Sequence, residues 1–447
     1  MAEERQQEDT SPAVVERPKR GEDIHVRWAW VEPAVWTDAM LAALEDGVKG
    51  GKWYSLIDKV WKDRSLYAAW EQVRKNQGAG GVDGQSVHGF ETNVRREREY
   101  IRGQLESGRY EPLPVRRTYI PKPGSHEKRP LGIPAVRDRV VQTAMRNVLE
   151  PIFERTFAEH SYGFRPGRGC RDALRVVDAM LKDGYQWVVD ADVKSYFDTI
   201  PHDRLMARLE ERMADSRMLG LVKGYLTQGV MDGMKEWTPE AGTPQGAVIR
   251  PLLANIDLNP LDHHMAGKGW KMVRYADDFV VLCRTQEEAE AALSEIRAWV
   301  TEAGLMLHPE KTRIVHETEG FDFLGYPFHQ GMRHPRKKSL EKIKDKVRAI
   351  TRRANGKSLG EIIAKLNASL QGWFGYFKHS QRSVFSAMDG WVRHRLRAIL
   401  LKRQGKSRWK FTQADHRKWP NAYFAEQGLF SLANARVLAC QSRRRNS

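Results

Sequence analysis

The stretch "RYADDFVV", residues 274–281, places two adjacent aspartates inside an apolar run. Tyr275, Phe279 and the valines that follow favour strands. Two neighbouring carboxylates repel each other, and an unpaired carboxylate is costly to bury. Taken alone, the stretch has two interpretations. Ala276-Asp277-Asp278 is a polar hairpin turn, since Asp tolerates turn geometry, or the two carboxylates belong to a functional site.

The composition excludes several classes of protein. The chain has 447 residues, of which 41% are hydrophobic, and this length is enough for two or three domains. No apolar run approaches the ~20 residues of a membrane helix, and the first residues lack the apolar core of a signal peptide. Cys170, Cys283 and Cys440 are far apart with no CxxC pair, which argues against a disulfide framework and a zinc site. We therefore expect a cytoplasmic protein with no membrane partner.

The positive charge is concentrated at the C-terminal end. The net charge is +17, but residues 331–447 contain 28 Lys and Arg against 6 Asp and Glu, so that residues 1–330 are slightly acidic. A general solvated surface would not segregate charge in this way. A module that binds a polyanion would, because basic side chains neutralise phosphates. The pattern predicts nucleic-acid binding by the C-terminal part.

The two parts also differ in predicted secondary structure. Short strands alternate with helices up to about residue 330, which indicates an α+β domain. Beyond it, Leu340, Ile343, Val347 and Ile350 form an apolar stripe at helical spacing, and "SLGE" (358–361) is a capping box that opens another helix. A third amphipathic helix is predicted from about residue 384. The second part is therefore expected to be a small, basic helical bundle.

A second acidic position lies at the end of another apolar strand. "WVVDAD" (187–192) ends in Asp192, and an acidic strand end facing an acidic hairpin turn is suited to two Mg²⁺ ions. Carboxylate oxygens are the ligands that Mg²⁺ prefers, and the ions would offset the repulsion between the aspartates. The alternative for Asp192 is a helix cap or a salt bridge.

Six blocks follow one another over about residues 52–330: "YIPKP…RPLGIP", "SYGFRPGRG", "DVKSYFD", "GTPQG…PLLANI", "YADD" and "FDFLGY". In sequence and in order they resemble the blocks of reverse transcriptases encoded by bacterial group II introns. The basic part, including "SLQGWFGYF" (369–377), resembles the maturase, or thumb, domain of the same family.

The resemblance implies a right-hand polymerase of the α+β class. Its fingers and palm, with an antiparallel sheet, are expected over 51–330, and its all-helical thumb or maturase bundle over 331–420. A partly disordered N-terminal extension is expected over 1–50 and a basic tail over 421–447. Since the chain ends soon after the bundle without CxxC pairs, the HNH endonuclease domain of many relatives is expected to be absent.

The resemblance also implies roles for individual residues. Asp192 and Asp277 would bind two Mg²⁺ ions, with Mn²⁺ as a substitute, and Asp278 would complete this acidic set. The remaining roles concern the substrate: Lys122 and Arg129 would grip the triphosphate, Phe197 would exclude a 2′-hydroxyl, Gln245 would lie beside the nascent base pair, and Lys311 would protonate pyrophosphate.

Ordinary structural roles remain open for several of these residues. Phe197 could be a core aromatic, Lys122 and Arg129 could belong to a solvated hairpin, and Lys311 could be a surface lysine. The chain also departs from the family at Arg250, where a serine is usual, and this leaves the packing beneath the "GTPQG" loop open.

The sequence thus predicts an RNA-directed DNA polymerase that binds its parent group II intron RNA and assists its splicing and mobility. Its partners would be that RNA, an RNA template with a DNA primer, dNTPs and target DNA. Arg393, Arg395 and Arg397 are predicted to bind RNA, unless they only solvate the bundle. Two alternatives remain: a non-catalytic RNA-binding splicing factor, which the intact aspartates disfavour, and a reverse transcriptase recruited to defence or CRISPR. The sequence leaves the oligomeric state open.

Overall fold

The computed structural model describes residues 22–121, 128–233, 235–243, 246–352, 356–405 and 412–445. Lys122 and Gln245 lie outside these ranges, and so does the side chain of Arg129. Of the predicted substrate-binding residues, Phe197 and Lys311 therefore have described side chains.

Helices dominate the first third of the chain. Trp28, Trp36 and Leu44 are buried in the same core as the later elements, so the end of the predicted N-terminal extension packs onto the body of the protein. The elements are α1 Glu22–Arg27, α2 Asp38–Asp46, α3 Ile57–Trp61, α4 Asp63–Asn76, α5 Val87–Thr92, α6 Val94–Glu106, β1 Val115–Pro121, β2 Lys128–Ile133 and α7 Val136–Glu154.

The middle third alternates strands with helices, as the sequence predicts. Its elements are α8 Cys170–Lys182, β3 Trp187–Asp192, α9 Tyr196–Thr199, α10 His202–Glu210, α11 Ser216–Leu226, β4 Val230–Asp232, β5 Lys235–Trp237, α12 Arg250–Gly267, β6 Lys271–Tyr275, β7 Asp278–Cys283, α13 Gln286–Glu302, β8 Arg313–His316, β9 Phe321–Phe323, β10 Tyr326–His329 and β11 Met332–Arg333.

The palm is an antiparallel sheet with the strand order β6-β7-β3-β8. Helices α12 and α13 cover one face, while α8 and the β9–β10 hairpin cover the other. Val189 and Val281 point into the core on the side of α12 and α13. Val188 and Val280 point into the core on the side of α8 and the β9–β10 hairpin. Burial on both faces explains why these strands read as continuous apolar runs rather than as an alternating pattern.

The fingers contain a second sheet with the order β2-β1-β4-β5. Strands β1 and β2 form the predicted hairpin. Strand β4 then pairs parallel with β1, with Val115 opposite Val230. This parallel pair departs from the antiparallel arrangement predicted from the sequence.

The C-terminal part is a helical bundle with its own core. The capping box opens α15: the backbone N–H of Glu361 donates to Ser358 Oγ (3.3 Å), and the N–H of Ser358 donates to a carboxylate oxygen of Glu361 (2.8 Å). The helices are α14 Lys337–Ile350, α15 Leu359–Phe377, α16 Arg382–Arg403, α17 Gln413–Lys418, α18 Asn421–Glu426 and α19 Leu432–Arg445.

The segment predicted as a basic tail, 421–447, contributes to this bundle. Phe424 and Leu432 are fully buried in its core. The buried carboxylate of Asp389 accepts hydrogen bonds from the backbone N–H of Leu432 (3.0 Å) and of Ala433 (3.1 Å) at the start of α19. The bundle thus extends beyond residue 420 because a carboxylate of α16 satisfies the free N–H groups of a later helix.

Candidate active site

Two acidic strand ends meet at one edge of the palm sheet. Strand β3 ends at Asp192 and β7 begins at Asp278, and the two residues are direct partners in the ladder. Directly opposed residues of an antiparallel pair project to the same face of the sheet. Asp277 lies one residue earlier, in the turn that joins β6 to β7. The fold therefore places the three aspartates that the sequence predicts as a set at the same edge of the sheet.

The turn itself is held by a buried arginine. Ala276 has the left-handed backbone φ of 59°, which is unfavourable for a residue with a Cβ. Arg274 is fully buried and donates from Nη1 to the carbonyl oxygen of Ala276 (2.9 Å). The same guanidinium binds both carboxylate oxygens of the buried Asp262 (2.8 and 2.5 Å) and Oδ1 of Asn255 (2.9 Å). This network fixes the turn that carries the catalytic candidates.

A close backbone approach supports the turn from the other side. A Cβ on Gly163 would lie 2.2 Å from the backbone nitrogen of Ala276, so only glycine fits at this point of the "SYGFRPGRG" loop. The side-chain amide of Asn255 donates to the carbonyl oxygen of Gly163 (2.8 Å). Sequence reasoning missed Arg274 and Asn255. The available signal was a charged residue inside an apolar strand, immediately before "YADD".

Burial dominates the electrostatics of Asp278. Its removal from water raises the pKa of the carboxyl to about 7, and the nearby charges of Asp190 and Asp277 act in the same direction. The positive charge of Arg336 and a hydrogen bond from the backbone N–H of Leu324 oppose this shift without cancelling it. A nearby cation would favour the ionised form.

Lys311 contacts the carboxylate of Asp192, the residue that faces Asp278 across the β3–β7 ladder. Its Nζ lies 2.5 Å from Oδ2 of Asp192. The side chains are 61% and 34% exposed, so the ion pair itself adds little stability and the lysine is not locked in place. The structure therefore places Lys311 at the acidic edge of the sheet. Its side chain is on the surface there and contacts Asp192.

Phe197 is held beside this edge by its backbone neighbours. The preceding Tyr196 is buried, and its hydroxyl lies within hydrogen-bonding distance of two acceptors, the carbonyl oxygen of Ala254 and Oδ2 of Asp257 (both 3.0 Å). The backbone N–H of Thr243 donates to the carbonyl oxygen of Phe197 (2.7 Å). The ring of Phe197 remains half-buried. The next residue, Asp198, and Thr243 line a cleft of about 190 Å³, together with residues that include Arg117, Gly132 and Trp237.

The predicted RNA-binding arginines are partly engaged inside the bundle. Arg397 is 4% exposed and donates to the carbonyl oxygen of Trp419 and to Oδ1 of Asn421 (both 2.9 Å). Arg395 donates to Oγ1 of Thr351 (3.0 Å) and to its carbonyl oxygen (3.2 Å). Arg393 is half-buried. RNA contact by Arg397 would require α16 to separate from residues 419–421. In the folded bundle, Arg397 instead joins α16 to these residues.

The acidic edge fits a magnesium site by the chemistry of its donors. Asp192, Asp277 and Asp278 offer only carboxylate oxygens, which are the ligands of hard cations. Within the described ranges, no three His, Cys, Asp or Glu side chains converge into a ready set of ligands. Positive side chains stand against these aspartates instead: Lys311 contacts Asp192, and the charge of Arg250 interacts with Asp277. Asp192, Asp277 and Asp278 are the residues that would hold a divalent ion at this edge.

Comparison with known families agrees with this geometry. The model described as reverse transcriptase (RNA-dependent DNA polymerase) matches residues 120–328, and the group II intron maturase-specific domain matches residues 340–419. The first range runs from the end of β1 to β10, and the second covers most of α14 and continues through α17 of the helical bundle. The two matches identify a reverse transcriptase domain followed by a maturase-specific domain.

Similar proteins of known sequence identify the family more closely. Protein YkfC of Escherichia coli K12 is 38% identical over 286 residues, which are 55% of this chain and 74% of that protein. The group II intron-encoded protein LtrA of Lactococcus lactis is 29% identical over 328 residues, 58% of this chain and 54% of LtrA. An uncharacterised 91 kDa protein in the cob intron of Schizosaccharomyces pombe is 30% identical over 356 residues, 64% of this chain and 44% of that protein. The chain thus spans about half the length of LtrA and of the yeast protein.

These matches confirm the resemblance inferred from the six blocks. The chain belongs to the group II intron family of reverse transcriptases, in which an RNA-dependent DNA polymerase domain is joined to a maturase-specific domain.

Solved structures with a related fold are more distant. A Cas6-RT-Cas1–Cas2 complex matches with a TM-score of 0.36 and 23% identity, covering 55% of this chain and 42% of that one. Telomerase from Candida albicans matches with a TM-score of 0.40 and 13% identity, covering 73% and 64%. In the part of the chain that the structure describes, every helix is too short or too polar to cross a membrane.

Proposed function

We propose that this chain extends a DNA primer on an RNA template at the acidic edge of the palm, by a two-metal mechanism. One observation carries the proposal: Asp192 and Asp278 are partners across the β3–β7 ladder, and Asp277 lies in the adjoining turn. Three carboxylates at one sheet edge are suited to binding cations that themselves bind phosphate.

The aspartates have distinct places in this proposal. Asp192 and Asp277 would hold two Mg²⁺ ions, or Mn²⁺ in their place, and Asp278 would complete the acidic set. Bound there, the ions would stabilise charge on the transferring phosphate and lower the pKa of the attacking hydroxyl. The protein's own contribution is to hold the turn rigid through Arg274, so that little reorganisation is needed during the reaction.

The remaining residues would act on the nucleotide. Phe197 would exclude a 2′-hydroxyl by the bulk of its ring. Lys311, which already contacts Asp192, would donate a proton to the departing pyrophosphate. The family resemblance alone supports the three remaining roles: Lys122 and Arg129 would grip the triphosphate, and Gln245 would lie beside the nascent base pair.

The helical bundle would bind group II intron RNA and assist its splicing. Its support is the match to the maturase-specific domain and the excess of positive charge beyond residue 331. Lys338, Lys342 and Lys346 are exposed and lie four residues apart along α14, so they form a basic stripe on one face of the helix. We propose this stripe, rather than Arg397, as the first part of the RNA-binding surface to test. Target DNA would be a further partner.

The experiment is primer extension with the purified chain, a DNA primer annealed to an RNA template, dNTPs and either Mg²⁺ or Mn²⁺. We expect full-length DNA that depends on the divalent ion. Absence of extension with both ions would overturn the polymerase proposal. Splicing of the cognate intron, with and without the protein, tests the maturase role separately.

A further inference from the structure

We propose that Arg250 is a positioning residue that holds the ring of Phe197 in its sugar-selecting place. The inference rests on the proposed function, because it needs an active polymerase in which Phe197 discriminates between sugars. At Arg250 the sequence carries an arginine where the family resemblance leads us to expect a serine. Its side chain lies at the junction between the Phe197 ring and the acidic turn.

The contact between the two side chains is close. The Cζ atom of Arg250 lies 4.0 Å from the centre of the Phe197 ring. A guanidinium within about 6 Å of a ring centre is attracted to the negative face of the ring, and its planar shape allows it to stack there. Arg250 therefore covers a surface of Phe197 that a serine at the same position could not reach.

Arg250 lies at the N-terminus of α12, where a positive charge needs compensating interactions. Arg250 is the first residue of this 18-residue helix, and a positive charge at a helix N-terminus is disfavoured by the helix dipole. The side chain is also half-buried. Two interactions compensate: the contact with the ring of Phe197 and the electrostatic attraction of the negative charges of Asp198 and Asp277.

Burial lowers the pKa of Arg250 to about 10, while the charges of Asp198 and Asp277 oppose this shift. The guanidinium therefore stays protonated at neutral pH, and its attraction to the ring is retained.

The backbone of Phe197 is fixed by other groups, which leaves the ring for Arg250 to hold. Ser195 takes a left-handed φ of 49° before the four-residue helix α9. Thr243 N–H binds the carbonyl oxygen of Phe197, and a Cβ on Gly242 would lie 2.7 Å from Cα of Asp198. With the backbone clamped, the side-chain torsions are the freedom that remains. A cation stacked on the ring restricts them.

The consequence concerns discrimination rather than synthesis itself. A ring that samples several positions excludes a 2′-hydroxyl less well than a ring held in one. Losing the stacking contact should therefore lower the preference for dNTPs over rNTPs by about three- to ten-fold, the range of a typical cation–π contact. The preference is the ratio of kcat/KM for the two nucleotides.

The test is a double-mutant cycle with Arg250→Ala, Phe197→Ala and the double variant, measured as that ratio on one primer and template. Arg250→Ala should relax the preference, and Phe197→Ala should relax it further. If Arg250 acts through the ring, the double variant should match Phe197→Ala alone. Arg250→Lys keeps the charge without the planar stack and should fall between the parent and Arg250→Ala.

Arg284→Ala is the matched control. Arg284 lies 4.2 Å from the ring centre of Tyr185, so this variant removes a similar contact at the opposite end of β7. It should leave the preference unchanged.

The outcomes separate the inference from the function on which it rests. An unchanged preference in an active Arg250→Ala enzyme, or effects of Arg250 and Phe197 that multiply in the double variant, would overturn the role of Arg250 while the polymerase stands. An inactive parent enzyme overturns the polymerase, and an unchanged preference in Phe197→Ala overturns the sugar gate and the positioning role with it.

Discussion

The guanidinium of Arg274 binds both carboxylate oxygens of Asp262 while its other nitrogen holds the carbonyl oxygen of Ala276. Both charged side chains are fully buried. The pair thus links α12 to the left-handed residue of the turn that carries Asp277. Stability and catalytic geometry depend here on the same side chain, and variants can separate the two.

Arg274→Met should destabilise the protein by about 3–5 kcal/mol, because it leaves the charge of Asp262 buried without a partner. Chemical denaturation measures this loss. The double variant Arg274→Met with Asp262→Leu removes both charges and should recover most of the stability. It should stay defective in DNA synthesis, because Ala276 has still lost its hydrogen bond. Recovery of full activity along with stability would show that Arg274 does not position the turn.

Lys311→Met should slow DNA synthesis by about 100-fold or more in kcat, since general acid catalysis typically contributes 10²–10⁴-fold. Methionine keeps much of the length but carries no proton. Single-nucleotide incorporation under saturating dNTP is the measurement. Lys271→Met, which removes an exposed lysine at the start of β6, is the control. A raised KM with unchanged kcat would assign Lys311 to substrate binding instead.

Asp138 should make stability depend on pH. Burial raises the pKa of this carboxyl from 3.8 to about 7, although hydrogen bonds from Tyr110, Leu113 and Tyr225 oppose the shift. Between these two values the unfolded chain has lost a proton that the folded protein keeps, so stability falls as the pH rises from about 4 to 7 and levels off above it. Each unit of pKa difference corresponds to about 1.4 kcal/mol.

The measurement for Asp138 is the free energy of unfolding across that pH range for the parent and for Asp138→Asn, which cannot titrate at this position. The difference, parent minus variant, should decrease with rising pH between about 4 and 7. A constant or increasing difference would contradict the raised pKa. Using the difference cancels the contributions of other titrating groups.

Replacing Lys338, Lys342 and Lys346 by Ala should weaken binding to intron RNA. Each lost phosphate contact should reduce the slope of log affinity against log salt concentration by about 0.7–0.9. The matched control replaces three exposed basic residues of the N-terminal helices, Lys62, Arg64 and Lys75, and should bind RNA as the parent does. Equal losses in the two variants would show that the basic stripe on α14 has no special role.

The local features of the fold were predictable from the sequence. The apolar runs around "YADD" predict the β6–β7 hairpin because a turn-forming pair divides two strand-forming segments. Ser358 and Glu361 predict the start of α15 because each satisfies a backbone group of the other. Asp192 was recognisable as an acidic residue that ends an apolar strand. Each of these signals is contained within a few neighbouring residues.

Contacts between distant segments were not predictable in this way. The parallel pairing of β1 with β4 joins residues more than 100 positions apart, and no local pattern encodes it. Arg397 looks like its basic neighbours in the sequence, but Trp419 and Asn421 bind it inside the bundle. The ion pair between Arg274 and Asp262 was not predictable for the same reason, because the two residues lie on different elements, β6 and α12. A charged residue reveals its partner only when the chain is folded.

The most direct test of the account measures DNA synthesis and RNA affinity on the same Asp277→Asn protein. The variant removes a carboxylate charge at the turn while nearly preserving its size, and Asp203→Asn, on the exposed start of α10, serves as the control. We expect Asp277→Asn to abolish primer extension in Mg²⁺ and to bind intron RNA like the parent, because the excess positive charge lies beyond residue 331. Primer extension at the parent's rate would contradict a polymerase site at the Asp192–Asp278 edge.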